Sequence, residues 1–218
     1  MKTRTLISIL ILVLAVLVVA DSSVIASDTE VFFQAVKSGD IAEVKRLIEA
    51  GANINAQTYS GLTALMWALW KGQTEVAKLL IEKGADVNAQ DIFEVTALMY
   101  ALYRGHTEVA RLLIEEGADV NAQDFGGETA LMSASEWGYT EVVKLLLEAG
   151  ANVYMQSHSG GTALMCASWK GHTETVELLI EAGADVNIQD KGRWTALEYA
   201  SNGGYTEIVK LLKEAGAK

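Results

Sequence analysis

Cysteine is nearly missing from this 218-residue chain: Cys166 stands alone, so no internal disulfide can form and packing must hold the fold. Basic residues are short too. Seventeen Lys and Arg face 28 Asp and Glu, a formal net charge of −11. That excess keeps a protein soluble and opposes contact with nucleic acid or anionic lipid head groups. Charge disappears altogether from Leu6 to Ala20 (LISILILVLAVLVVA). The sequence has no twin arginine, and no cysteine near that run to carry a lipid.

Lys2 and Arg4 precede the apolar run. A short basic start and about 7–15 apolar residues make a secretory signal pattern, whereas a spanning helix wants roughly 20. Val24-Ile25-Ala26 fits the small-x-small cleavage rule, with Val18-Val19-Ala20 as a second site. Residues 1–26 are therefore expected to be a signal peptide, with an uncleaved inner-membrane anchor as the alternative. Either way the bulk of the chain is placed in the periplasm or outside the cell, and it touches a membrane only through this segment. Without residues 1–26, 15 basic and 27 acidic residues remain, a net charge of −12.

The rest is a repeat. Thr-Ala-Leu recurs at Thr63, Thr96, Thr129, Thr162 and Thr195, every 33 residues, and four copies continue with Met66, Met99, Met132 and Met165. Glycine follows in register at Gly72, Gly105, Gly138, Gly171 and Gly204. Gly-Ala-Asp/Asn-Val/Ile-Asn recurs at Gly51, Gly84, Gly117 and Gly183, and Gly150 begins a variant ending in Tyr154. Extended backwards, the register defines six units, at about 28–57, 58–90, 91–123, 124–156, 157–189 and 190–218. Each reads as two short helices and a turn. Thr63 caps the first helix, which ends at Gly72. Thr74 starts the second with Glu75 at its positive end, and Val76, Leu79 and Leu80 line one face. Gly84 stops it in the left-handed conformation. So small a pair cannot bury its own apolar face, and neighbours must stack on it.

Repeated Gly-x-Thr-x-Leu, Gly-His and Gly-Ala-Asp-Val-Asn resemble the ankyrin repeat, at constant register through residues 27–218. The resemblance implies an all-α solenoid of six helix-turn-helix units with connecting turn fingers. Departures are present. The family's Thr-Pro-Leu-His is here Thr-Ala-Leu-Met, with no proline anywhere in the chain. The turn glycine of Gly61, Gly127 and Gly160 gives way to Glu94 and Arg193, which puts the turn geometry of the third and sixth units in question. Arg46 and Lys213 replace buried apolar residues in the terminal units, and Ser27-Asp28-Thr29-Glu30 reads as a capping box. Both ends read as caps, and a monomer is expected.

Catalytic constellations are missing. His106 and His172 share a register two repeats apart, so helix spacing places them roughly 20 Å apart, against zinc–nitrogen bonds of about 2 Å. Both follow a helix-ending glycine, where the family uses histidine structurally. His158 stands in a turn. Cys166 lacks an activating base. Asp86, Asp119 and Asp185, each with asparagine two residues on, form turns and not a calcium loop. Gly126-Gly127 and Gly160-Gly161 lack the Lys-Ser/Thr of a phosphate loop. No catalysis, metal or cofactor is expected.

Positions that face a partner are free to vary between units. In the ankyrin family these are the turn tips and the exposed side of the first helix. By resemblance they are the registers of Tyr59, Ser60, Leu62, Trp70 and Lys71, repeated through five units. Eight of those 25 positions are aromatic, against 7% of the chain: Tyr59, Trp70, Phe93, Tyr103, Phe125, Trp137, Trp169 and Trp194. Trp67 and Tyr100 sit beside them, and Lys71, Arg104, Lys170 and Lys191 accompany them. Part of this set is expected to pack as core, but a whole row of rings exposes the residue types that anchor binding hot spots. The expected site is a concave, aromatic, mildly basic groove for a partner carrying some negative charge. Another protein is the expected partner, with an inhibitor or immunity/chaperone-type role by family analogy. A glycan or cell-wall ligand, which also stacks on Trp and Tyr, is the alternative; nucleic acid is not expected.

Overall fold

A computed structural model describes residues 27–218; the expected leader lies outside the described residues. The described residues form twelve helices in six pairs. They are α1 (Ser27–Ser38) with α2 (Ile41–Glu49), α3 (Ala64–Lys71) with α4 (Thr74–Glu82), and α5 (Ala97–Tyr103) with α6 (Thr107–Glu115). Then follow α7 (Ala130–Trp137) with α8 (Thr140–Glu148), α9 (Ala163–Lys170) with α10 (Thr173–Glu181), and α11 (Ala196–Gly203) with α12 (Thr206–Glu214). The expected all-α stack of helix pairs is what the chain forms. It divides into two compact units, one ending at Tyr100 and one from Ala101 to Lys218. No helix among the described residues is long and apolar enough to cross a membrane.

Local chemistry sets the helix ends. Thr63 Oγ1 accepts from the Met66 amide at 3.2 Å, and the same cap recurs at Thr96, Thr129, Thr162 and Thr195. An N-cap oxygen satisfies a donor the helix cannot pair itself. Methionine here does more than fill space. Met66 Sδ accepts from the Thr63 amide at 3.5 Å, and in the last unit Glu198 takes that part at 2.6 Å. Gly72 closes α3 at φ 75°, a left-handed position that glycine reaches without strain.

The first helices of the inner repeats are buried nearly all round: Ala64 through Leu69 are all core. Second helices are one-sided, with Val76, Ala77, Leu80 and Ile81 buried on α4 and Glu75 and Glu82 exposed. This difference fixes the layering, because only the one-sided helices can sit at the water boundary.

Between the pairs run the fingers. Each aspartate or asparagine that opens a loop accepts from the amide two residues on, as Asp86 does from Asn88 and Asp119 from Asn121, both at 2.9 Å. These are turns, as the sequence indicated. The final asparagine of the motif joins neighbouring loops. Asn55 Oδ1 accepts from the Asp86 amide at 2.9 Å, and Asn121 Oδ1 from the Asn152 amide at 2.7 Å. Finger tips meet through single backbone bonds, Ile92 to Ser60 in the first unit and His158 to Gly126 and Lys191 to Ser159 in the second.

Glu94 and Arg193 keep the turn conformation they put in question. Their φ values are 61° and 65°, beside 76° at Gly61, 73° at Gly127 and 83° at Gly160. The turn is retained, and the side chain bears a left-handed backbone that L-residues disfavour.

Candidate partner-binding surface

Finger tips and first helices carry the aromatic positions, and each unit has its own set. In the first unit Tyr59 tops a finger with 67% of its surface exposed, and Ile92 is exposed at the next tip. Phe93 and Trp70 are half-buried. Trp70 meets the Tyr100 ring edge-on, with centroids 6.3 Å apart. Tyr100 itself is buried and donates to Asp91 Oδ2 at 2.7 Å. Trp67 is also buried, with Lys37 and Lys71 ammonium groups 4.7 and 5.5 Å from its ring centroid. Trp67 and Tyr100 therefore pack the array and present no open ring, since their register on the first helix points into the layer and not along the surface.

In the second unit Phe125 stands 67% exposed at a finger tip and Trp137 49% exposed at the end of α7. Trp169 is half-buried at the end of α9. Trp194 is 39% exposed and lies 5.2 Å from the Tyr199 ring, whose hydroxyl donates to Asp190 Oδ2 at 2.7 Å. Arg104 and Lys191 are exposed. Lys170 is engaged internally: its ammonium lies 3.5 Å from Glu136 Oε1, 4.3 Å from the Trp169 centroid and 5.5 Å from that of Trp137. A cation so held offers a partner its stacked rings more than its charge.

Carboxylates stand among the rings of this unit. Tyr103 is half-buried and its hydroxyl donates to Asp124 Oδ2 at 3.3 Å. Asp124 is buried, and its Oδ1 accepts from the Gly126 and Glu128 amides at 2.8 and 2.9 Å. Burial pushes the Asp124 carboxyl up, against those hydrogen bonds. Burial, and then the Asp124 charge, push Glu128 up to about 7. The same two causes raise the Tyr103 phenol. Beside the exposed cations Arg104 and Lys191, the second unit carries Glu128 and Glu136 half-buried and Asp124 buried, and Glu136 pairs with Lys170. These acids lie 21 to 34 residues from their partners Tyr103 and Lys170, so no local pattern exposes them. Stepping by the repeat length would have, because Asp91, Asp124 and Asp190 share one register.

His172 stands where the sequence placed it, as structure: its Nε2 is 3.0 Å from the Glu136 carbonyl, and a Cβ at Gly138 would meet its ring at 2.6 Å. Among the described residues no three His, Cys, Asp or Glu side chains gather as metal ligands. Ser157 Oγ, near Glu128, pairs with Ser159 Oγ at 2.9 Å and accepts from the Gly161 amide at 3.2 Å. That hydroxyl helps to hold a turn. The arrangement can grip apolar and charged side chains and exchange a proton near neutrality.

A family model described as ankyrin repeats (3 copies) matches residues 10–91, 90–157 and 150–218. An ankyrin repeat domain from Acinetobacter baumannii AYE is 38% identical, over 86% of this chain and 98% of that one, with a TM-score of 0.79. A second ankyrin repeat protein is 33% identical, over 87% and 99%, with a TM-score of 0.78. A chain from the complex of a predatory endopeptidase of Bdellovibrio bacteriovorus with an immunity protein is 28% identical, over 85% and 97%, with a TM-score of 0.74. No curated protein matches in sequence.

Proposed function

From a chain that belongs to the ankyrin repeat family, we infer an exported scaffold that binds another protein through its finger tips and first-helix ends, without catalysis. Ankyrin repeats are protein–protein interaction scaffolds, and this one presents large rings where a partner can reach them. The observation that carries the reading is the exposure of Phe125 and Trp137 in the second unit and of Tyr59 in the first. Leaving such rings in water forgoes the burial that holds the rest of the fold, roughly 25 cal/mol for each Å² of apolar surface. Aromatic side chains of this kind anchor interfaces.

The apolar leader with Lys2 and Arg4 ahead of it supports placement in the periplasm or outside the cell. The similarity to a chain from an endopeptidase–immunity protein complex supports a more specific version, in which this protein restrains another exported protein. Phe125→Ala and Trp137→Ala, compared with the intact chain for capture of protein from a periplasmic extract and for binding to purified cell wall, test the reading. Loss of one discrete captured protein in folded variants supports it. Undiminished capture, or retention by cell wall alone, goes against it.

A further inference from the structure

The Glu136–Lys170 pair has a counterpart in the first unit from which the acid is missing. In the second unit, a carboxylate on α7 neutralises an ammonium at the end of α9, at 3.5 Å, beside Trp137 and Trp169. Three repeats earlier, the register of Lys170 holds Lys71 and the register of Glu136 holds Lys37. Neighbouring positions match across the same interval, Trp70 with Trp169 and Gly72 with Gly171, so the two places are built alike. The first unit thus puts two cations where the second puts a salt bridge.

Those cations converge on one ring. Lys37 Nζ is 4.7 Å and Lys71 Nζ 5.5 Å from the Trp67 centroid. Neither lysine makes an ion pair among the described residues. The Trp67 indole nitrogen is buried and has no hydrogen-bond partner. Two ammonium groups gather at this ring, and neither has a carboxylate paired to it among the described residues. Like charges held against one ring repel, and the ring quadrupole offsets only part of that.

We propose that this site receives a carboxylate of the protein partner, an aspartate or glutamate side chain that fills for Lys37 and Lys71 the place Glu136 fills for Lys170. The proposal rests on the reading of the chain as a protein-binding scaffold and names the chemistry of one contact. Its specificity is electrostatic: an acidic side chain is drawn to a place on a net acidic chain where two cations stand together without an ion pair.

The Trp67 indole N–H signal in a nitrogen-15-labelled sample of the full chain reports on the site directly. It is assigned by Trp67→Phe, or through backbone-linked assignment if that variant does not fold. Hexaglutamate, added at low salt, should shift the signal saturably, and hexalysine should not. Lys37→Gln together with Lys71→Gln should weaken the hexaglutamate response at least tenfold. Lys37→Glu rebuilds the internal pair with Lys71, so it should abolish the response and raise Tm.

An absent or non-saturating shift overturns the proposal. So does a shift that survives in the double glutamine variant. Inorganic phosphate matching hexaglutamate at equal charge would also overturn it, by making the site a general anion sink. None of these outcomes touches the rings at Phe125 and Trp137, so a failure here is distinct from a failure of the scaffold reading.

Discussion

Tyr100 donates its hydroxyl to Asp91 at 2.7 Å, and three repeats on Tyr199 donates to Asp190 at the same distance. The bond ties the first helix to the finger that precedes it. Asp91 also accepts from the Phe93 and Val95 amides at 2.8 and 3.0 Å, so one buried carboxylate organises a whole turn.

Tyr100→Phe removes one bond from that carboxylate and little else. A hydrogen bond to a charged group is worth about 1.5–3 kcal/mol, and Asp91 keeps two other donors, so the cost should fall near the lower figure. Thermal unfolding should show Tm lowered by roughly 3–6 °C. An unchanged Tm would mean that the turn holds itself without the tyrosine.

Glu94→Gly and Arg193→Gly should do the opposite. Both side chains sit on left-handed backbone, at φ 61° and 65°. Relieving that conformation should gain about 1 kcal/mol each, less a few tenths for the added freedom of glycine in the unfolded chain. Denaturant unfolding measures the gain; a loss of stability would show that the side chains stabilise the fingers by contacts that outweigh the strain.

Glu128 makes stability depend on pH. Its folded-state value, about 7, lies above the ordinary 4.5, so the fold favours the protonated carboxyl. Its contribution is full below about pH 4.5 and is lost as pH rises to about 7, with no further change above. Glu128→Gln should therefore stabilise the protein at pH 8 by about 1–3 kcal/mol and flatten the slope between pH 4.5 and 7. Equal slopes in the two proteins, measured by urea unfolding at several pH values, would place the titration elsewhere.

Much of the fold was legible in the sequence, and the reason is periodicity. Thr63 and its successors announce caps, Gly72 and its successors announce stops, the 33-residue spacing announces a stacked repeat, and the motif resemblance supplies the family fold. The role of methionine was not legible, because a thioether accepting from the Thr63 amide is a matter of rotamer and not of pattern. Nor was the fate of individual rings. Trp67 and Trp70 are three residues apart on one short helix, yet one is buried and the other half-buried. Which side of α3 faces the layer depends on how the next pair docks. Two pairings were not legible either, because Tyr103 meets Asp124, and Lys170 meets Glu136, only after the chain has passed through another helix or a whole repeat.

The leader is open to a simple check. Protein isolated from the host should have an intact mass that corresponds to a chain beginning at Ser27. A mass that includes Met1 to Ala26, found in the membrane fraction, would establish the anchored form instead.

The central claim is that a protein partner meets the finger tips and first-helix ends and not the outer helices. Site-specific photo-crosslinking in the living host tests it most directly. A benzophenone side chain placed at Phe125 or Trp137 reads the proposed face, and one at Glu141 or Glu174, both exposed in the first turn of a second helix, reads the other. The account predicts a single discrete protein adduct from positions 125 and 137, and none from 141 and 174. An adduct formed only from the second-helix positions would contradict it.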